Sequence, residues 1–186
     1  MDEPRFLTGQ LLLAMPGIGD PRFEKAVIAM CVHDEGGALG IGLGRVVPRI
    51  GFHELLRQLD IAPGVAPDAP IHAGGPVEPQ RGFILHSLDW GGEGSVQVSD
   101  RWTLSASVDI LRAIAEGRGP ARWVAALGYA GWGPDQLEQE MRGNGWFTTP
   151  GTDALLYECD VDSRWTAAFG SAGVDARLLT ADFGTA

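Results

Sequence analysis

At 186 residues and 45% hydrophobic, the chain is long enough to bury a core of its own, and no shift in composition divides it, so one domain spanning 1–186 is expected. The formal net charge of −10 is gathered toward the C-terminal end, where from Pro134 onward acids outnumber Arg142, Arg164 and Arg177 nine to three; with no basic run to neutralise phosphates, direct nucleic-acid binding is disfavoured. The acidic Met1-Asp2-Glu3-Pro4 start argues against a leader peptide, the lack of any apolar run near the roughly 20 residues of a bilayer span argues against a membrane helix, and two distant cysteines, Cys31 and Cys159, argue against a disulfide framework, which together point to the cytoplasm.

In chain order, Gln10 to Met15 is a short apolar run suited to a buried strand, broken by the Pro16–Pro21 loop. Ala26 to Val46 follows as two apolar arms joined by Asp34-Glu35-Gly36-Gly37, the chemistry of a tight hairpin loop. On the second arm a period of two separates Gly40, Gly42 and Gly44 from Leu39, Ile41 and Leu43, so one face is bare backbone against which a helix, a loop or a ligand must lie. Phe52, Leu55, Leu56 and Leu59 recur at helical spacing across 51–61, and Pro63, Pro67 and Pro70 form a stiff connector. Ile71–Ala73 and Gly82–His86 read as strands, paired with each other through a turn at Gly74-Gly75-Pro76 and a loop from Val77 to Arg81. A Gly-rich loop carries Trp90, and short strands at Val96–Val98 and Trp102–Leu104 turn at Ser99-Asp100-Arg101. Ser105 or Ser107 caps a helix that runs to Glu116 and stops at Gly117. Trp123–Tyr129 is a buried strand, and Pro134 opens a helix to about Arg142 with Asp135 in its first turn. Trp146–Thr148 and Ala154–Tyr157 read as late strands, Asp162 caps a last helix with Trp165, Ala168 and Phe169 inward, and the chain beyond Leu179 reads as a frayed end. Alternating strands and helices with interspersed hairpins predict an α/β fold whose sheet is mixed.

Four ordered strings then resemble one family. Leu13-Ala14-Met15-Pro16-Gly17 with Asp20-Pro21-Arg22-Phe23, Cys31-Val32-His33-Asp34 with Gly37-Ala38-Leu39-Gly40, Gly74-Gly75-Pro76-Val77 with Arg81 to His86, and Leu127 to Gly133 with Gln136-Leu137-Glu138 resemble the YqgE/AlgH family of bacterial proteins over nearly the whole chain. The resemblance implies a single α/β sandwich, a mixed sheet flanked by helices, in a cytoplasmic protein of a family without an established molecular activity. Members are often labelled transcriptional regulators, a label that rests on phenotype rather than on a DNA-binding module. One departure concerns the end of the hairpin: the family's usual Asn-Arg-Pro is Gly44-Arg45-Val46 here, which retains Arg45 and removes the Asn side chain.

Several chemistries can be weighed on these residues. Cys31 and His33, two apart on a strand, would share a face, yet no third group or oxyanion donor is readable beside them. His33, Asp34, His72 and His86 lack the i, i+3 or i, i+4 spacing of a helical metal site, and Gly37–Gly42 is not followed by a helix as a dinucleotide fingerprint requires, so neither metal nor cofactor is expected. Gly131-Trp132-Gly133-Pro134 leads into a helix and is a better anion candidate, although Asp135 already supplies negative charge there. The favoured reading is a non-enzymatic protein that binds an unknown protein or small molecule, acting on expression indirectly, in a shallow cleft formed by Met15, Pro16, His33, Arg45, Gly74, Gly75, Pro76, Arg81, Tyr129, Gly131 and Trp132. The alternative is a hydrolytic enzyme using Cys31, His33 or Arg45.

Overall fold

The computed structural model describes residues 6–179. Ten strands are hydrogen-bonded into one sheet: β1 (Gln10–Ala14), β2 (Val27–Asp34), β3 (Gly37–Gly42), β4 (Val46–Gly51), β5 (Pro70–Ala73), β6 (Val77–His86), β7 (Val96–Gln97), β8 (Thr103–Ser105), β9 (Trp123–Trp132) and β10 (Trp146–Pro150). The path is β10-β1-β2-β3-β9-β6-β8-β7, with β4 on β5 and β5 on β9. Every pairing is antiparallel except β5 on β9. The helices are short: α1 (Phe52–Gln58), α2 (Val108–Ala115), α3 (Gln136–Arg142) and α4 (Val161–Ser171) run to at most 11 residues, and none among the described residues is long and apolar enough to cross a membrane.

This overturns the expected helix-flanked α/β sandwich with a mixed sheet. The structure is a curled, mostly antiparallel half-barrel, 34% strand and only 26% helix, too little helix to build covering layers. The reason lies in the connections. Tight hairpins force antiparallel neighbours, and one parallel pair does not make a mixed sheet in the doubly wound sense.

Burial shows the curl. Leu11, Leu13, Val27 and Ile41 from one half of the sheet share a cluster with Phe83, Leu85 and Leu104 from the other half, closed by Phe169 of α4. The opposite face divides into two separate clusters. Leu12, Ile28 and Met30 pack with Leu137 of α3, whereas Ile71 and Ile84 pack with Phe52 and Leu56 of α1 and Ile110 of α2. Strand alternation thus sends successive residues to different cores, and each fully buried Leu or Ile contributes about 1.5–3 kcal/mol relative to exposure.

The hairpin forms as the sequence indicates, with Asp34 opposite Gly37. Other expectations need correction. β5 and β6 do not pair with each other; they lie on opposite sides of β9, and Val77–Arg81 belongs to β6 rather than to a loop. Ala154–Tyr157 is not a strand but a π-helical turn (Ala154–Glu158) that buries Leu155 and Leu156 side by side, an outcome that a short apolar run leaves open. Pro134 precedes α3 instead of opening it, because Asp135 adopts φ 60° and the helix begins at Gln136. Asp160, not Asp162, stands at the N-cap of α4. The expected frayed end beyond Leu179 lies outside the described residues.

Candidate functional site

Strand β9 changes partner along its length. Ala125–Leu127 lie beside β5, Ala130–Trp132 lie beside β3, and Gly128 at φ 78° turns the strand between them. The seam is held by backbone alone: Gly74 N–H donates to the Leu127 carbonyl at 2.8 Å, and Gly42 N–H donates to the Gly74 carbonyl at 2.7 Å. A Cβ on Gly74 would enter the Gly128 carbonyl, and one on Gly75 would enter the Tyr129–Ala130 peptide. Gly74-Gly75, Gly128-Tyr129 and Gly42 of the hairpin are therefore one contact, and the Ala73–Gly74 backbone is what lies against Gly42, whereas Gly40 faces Ile28 and Met30 and Gly44 faces the Lys25–Val27 backbone.

Beside this seam a cleft of about 530 Å³ opens. Its floor is Ile28, Gly42 and Gly44, and its walls are Phe23, Val46, Val47 and Pro48 on one side and Ala73 to Pro76 on the other. Arg45 and Arg22 supply its charged groups, and among the described residues no acid lines it. The Arg45 guanidinium donates to the Arg22 carbonyl. Arg22 itself is paired with Asp20 at 2.7 Å, a hydrogen-bonded contact that holds the Asp20 carboxyl below its ordinary range.

Of the residues expected in one cleft, Arg45, Gly74, Gly75 and Pro76 come together here. Met15 and Pro16 line a separate hollow of about 360 Å³ with Lys25 and Trp165. Arg81, Tyr129 and Gly131 lie elsewhere: the Arg81 guanidinium sits over the Phe83 ring, Tyr129 meets the edge of that ring, and Gly131 lies against Tyr129. Trp132 is 7% exposed, and its indole N–H shares the Glu140 carboxylate with that of Trp146, so it belongs to the α3 core rather than to a cleft wall.

His33 is also remote from Arg45. Its Nδ1 accepts from the Leu7 N–H at 3.0 Å, which leaves Nε2–H to donate to Glu138 at 2.9 Å. The pairing of β2 with β3 shifts between Met30 and Val32, so Cys31 is an extra residue in the ladder. That bulge reverses the alternation: Cys31 joins the inner cluster with Ala29, while His33 stands opposite Ala38, which packs against the α3 core. The two side chains therefore do not form a pair. Burial pushes the Cys31 thiol far up, so alkylation of Cys31 in the native protein is expected to be slower than that of the less buried Cys159, a difference that mass spectrometry of partially labelled protein reads directly.

A family model described as AlgH-like matches residues 11–177. The chain belongs to the AlgH-like family. It is 63% identical over 186 residues to a UPF0301 protein of Rhizorhabdus wittichii, covering all of both chains, and 61% identical to one of Sphingopyxis alaskensis, covering 98% of each. The solution structure of the AlgH protein from Pseudomonas aeruginosa superposes with a TM-score of 0.81 at 36% identity, covering 100% of this chain and 99% of that one. A crystal structure of a Corynebacterium diphtheriae protein, 20% identical with a TM-score of 0.73, covering 92% of this chain and 90% of that one, shares the fold.

The AlgH-like chain also carries a buried cluster that sequence reading missed. Arg164 of α4 is 3% exposed, and its five N–H directions meet five acceptors: the carbonyls of Leu43, Leu155, Leu156 and Cys159, and Nε2 of His72 at 3.1 Å. Among the described residues no carboxylate reaches salt-bridge distance of it. A hollow of about 620 Å³ opens over this cluster, but the guanidinium has no donor left for a ligand. The signal was present: Arg164 stands four residues before Ala168, on the apolar stripe of its helix.

His72 Nδ1–H donates to the Ala125 carbonyl at 3.0 Å, so the imidazole is neutral with Nε2 as acceptor. Burial first, and then the Arg164 charge, lower its pKa from 6.5 to about 4. Above pH 6.5 both folded and unfolded chains hold this histidine neutral. Between pH 6.5 and about 4 the unfolded chain takes up a proton that the folded chain refuses, so stability is lost as pH falls, by about 3 kcal/mol once pH reaches the folded value. Imidazole NMR should find His72 still neutral at pH 5; titration near 6.5 would contradict the buried arrangement.

Proposed function

We propose that this protein is a non-catalytic binding protein whose ligand or partner segment occupies the Arg45–Gly74–Gly75–Pro76 cleft. One observation carries the reading: among the described residues the cleft is lined by arginine, glycine, proline and apolar side chains, groups that hold a ligand, and by no Cys, Ser, His or carboxylate that would serve as nucleophile or general base. The alternative hydrolytic reading loses support because Cys31 and His33 lie on opposite faces and neither lines the cleft that holds Arg45. A cytoplasmic setting fits two free cysteines.

Any effect on gene expression is then indirect. The net charge is −10, and among the described residues no helix clusters the basic residues that groove reading or phosphate neutralisation needs. Fluorescence anisotropy of genomic fragments under a salt titration should find no sub-micromolar binding. Sequence-dependent binding that weakens steeply with salt and disappears on replacing Arg45, Arg49 and Arg57 would overturn the indirect route. Amide NMR with a fragment library tests the cleft itself: saturable shifts should gather on Gly42, Gly44, Arg45 and Gly74, and hits confined to other surfaces would defeat the reading.

A further inference from the structure

We infer that the cleft takes an organic anion, a carboxylate or phosphate monoester on an apolar body, with the Arg45 guanidinium and the Gly44 and Gly75 N–H groups on the anion and Phe23, Ile28 and Val46 around the body. The inference rests on the binding reading above and adds the chemistry of the ligand. Three observations support it.

The first is an imbalance of charge. Arg22, the other cation of the lining, is committed to the Asp20 carboxylate through both its Nε–H and a terminal N–H. Arg45 meets no carboxylate among the described residues; a single terminal nitrogen donates to the Arg22 carbonyl, which anchors the guanidinium and leaves its other donors available. Among the described residues no acid lines the cleft, and a positive centre stands at the mouth of an apolar hollow with no carboxylate of those residues against it.

The second is a pair of open backbone donors. The carbonyls of Gly74 and Arg45 already accept from the N–H groups of Gly42 and Ala73, at 2.7 and 2.8 Å. The N–H groups of Gly44 and Gly75, which also line the cleft, donate to no backbone carbonyl among the described residues. Two open donors beside an arginine are what an anion can use. The third is composition and size. Phe23, Ile28, Val46, Val47 and Pro48 give an apolar surface, and about 530 Å³ exceeds what a bare inorganic ion fills.

The test is an amide NMR titration of the full-length chain with 1-naphthoate, 1-naphthyl phosphate, the uncharged 1-naphthol and inorganic phosphate. One or both naphthyl anions should shift Gly44, Arg45 and Gly75 saturably and bind at least about tenfold more tightly than naphthol, the scale of one charge-assisted contact. Whichever anion binds more tightly identifies the head group. Arg45→Gln should reduce anion binding to the level of naphthol with the rest of the spectrum unchanged, and Arg45→Lys should restore part of it. Naphthol binding as tightly as the anions, or an Arg45→Gln variant without effect, would overturn the anion and leave the binding reading standing. Inorganic phosphate matching the naphthyl anions would overturn the apolar body. No saturable shift at the cleft with any probe would overturn both.

Discussion

Arg164→Met is expected to destabilise the fold by at least about 3–5 kcal/mol, a large share of the roughly 5–15 kcal/mol of an ordinary domain. The substitution keeps an apolar stem of similar length but removes every donor at once. Four carbonyls, of Leu43, Leu155, Leu156 and Cys159, and the Nε2 of His72 would be left without the partner they have now. A buried acceptor stripped of its donor costs about 1–3 kcal/mol, and water has poor access to a site where the arginine is 3% exposed. Arg164→Lys should rescue little, since one ammonium has three donors and cannot copy a planar fork that reaches the hairpin end, the π-helical turn and β5 together. Urea unfolding followed by tryptophan fluorescence measures the effect; a loss below about 1 kcal/mol would show that water or relaxation replaces these bonds.

The second large effect is expected at the glycine seam. Gly128 holds φ 78°, where an L side chain costs about 1–2 kcal/mol, and its added Cβ would press into the Gly75 carbonyl. The neighbours there are backbone atoms of paired strands, which cannot rotate away as a side chain can. Gly128→Ala should therefore destabilise by about 3 kcal/mol or more, and Gly75→Ala, at φ 153° against the Tyr129 peptide, by a similar amount. Because both break one contact, the double variant should lose less than the sum of the two. Gly131→Ala is the control: its Cβ would lie 3.4 Å from the movable edge of the Tyr129 ring, and its effect should stay within about 0.5–1 kcal/mol. Thermal melts of the four variants decide the matter, and equal midpoints for Gly128→Ala and Gly131→Ala would remove the seam from the account.

What local patterns encode, the sequence made legible. The hairpin at Asp34-Glu35-Gly36-Gly37, the α2 helix ending before Gly117, and the Trp146 strand all follow from periodicity and turn chemistry. Fold class did not, because it depends on which distant strand β9 chooses, and β9 chooses three: β3, β5 and β6. Nothing in a ten-residue window reports a partner that lies well outside that window, as all three do. The site was legible in part for a related reason. Glycines that read as ligand-approach points, Gly74 and Gly75, do border a cleft, but they are glycine first because strand backbones cross there. His33 left the expected cleft because one bulged residue, Cys31, reversed the count of two on which its face was assigned. Arg164 entered the sequence reading only in a count of charges, since hydrophobic patterning alone cannot tell an arginine that interrupts an apolar stripe from one that is clamped beneath it.

The position of β9 in the chain has a consequence for how the protein is made. During synthesis β3, β5 and β6 emerge long before Trp123–Trp132, and the side of each that β9 will occupy stays open in the meantime. Two half-sheets wait for one late strand, and each presents unpaired N–H and C=O groups of the kind that recruit other nascent chains. Closure is then a search over large sequence separations, from Ala38 to Trp132 and from Ile71 to Ala125 along one edge of β9 and from Val77 to Tyr129 along the other, the kind of non-local pairing that slows folding. A ribosome stalled before residue 123 therefore holds a chain in which β3, β5 and β6 each keep an open edge, and synthesis past residue 132 supplies the one strand that covers all three.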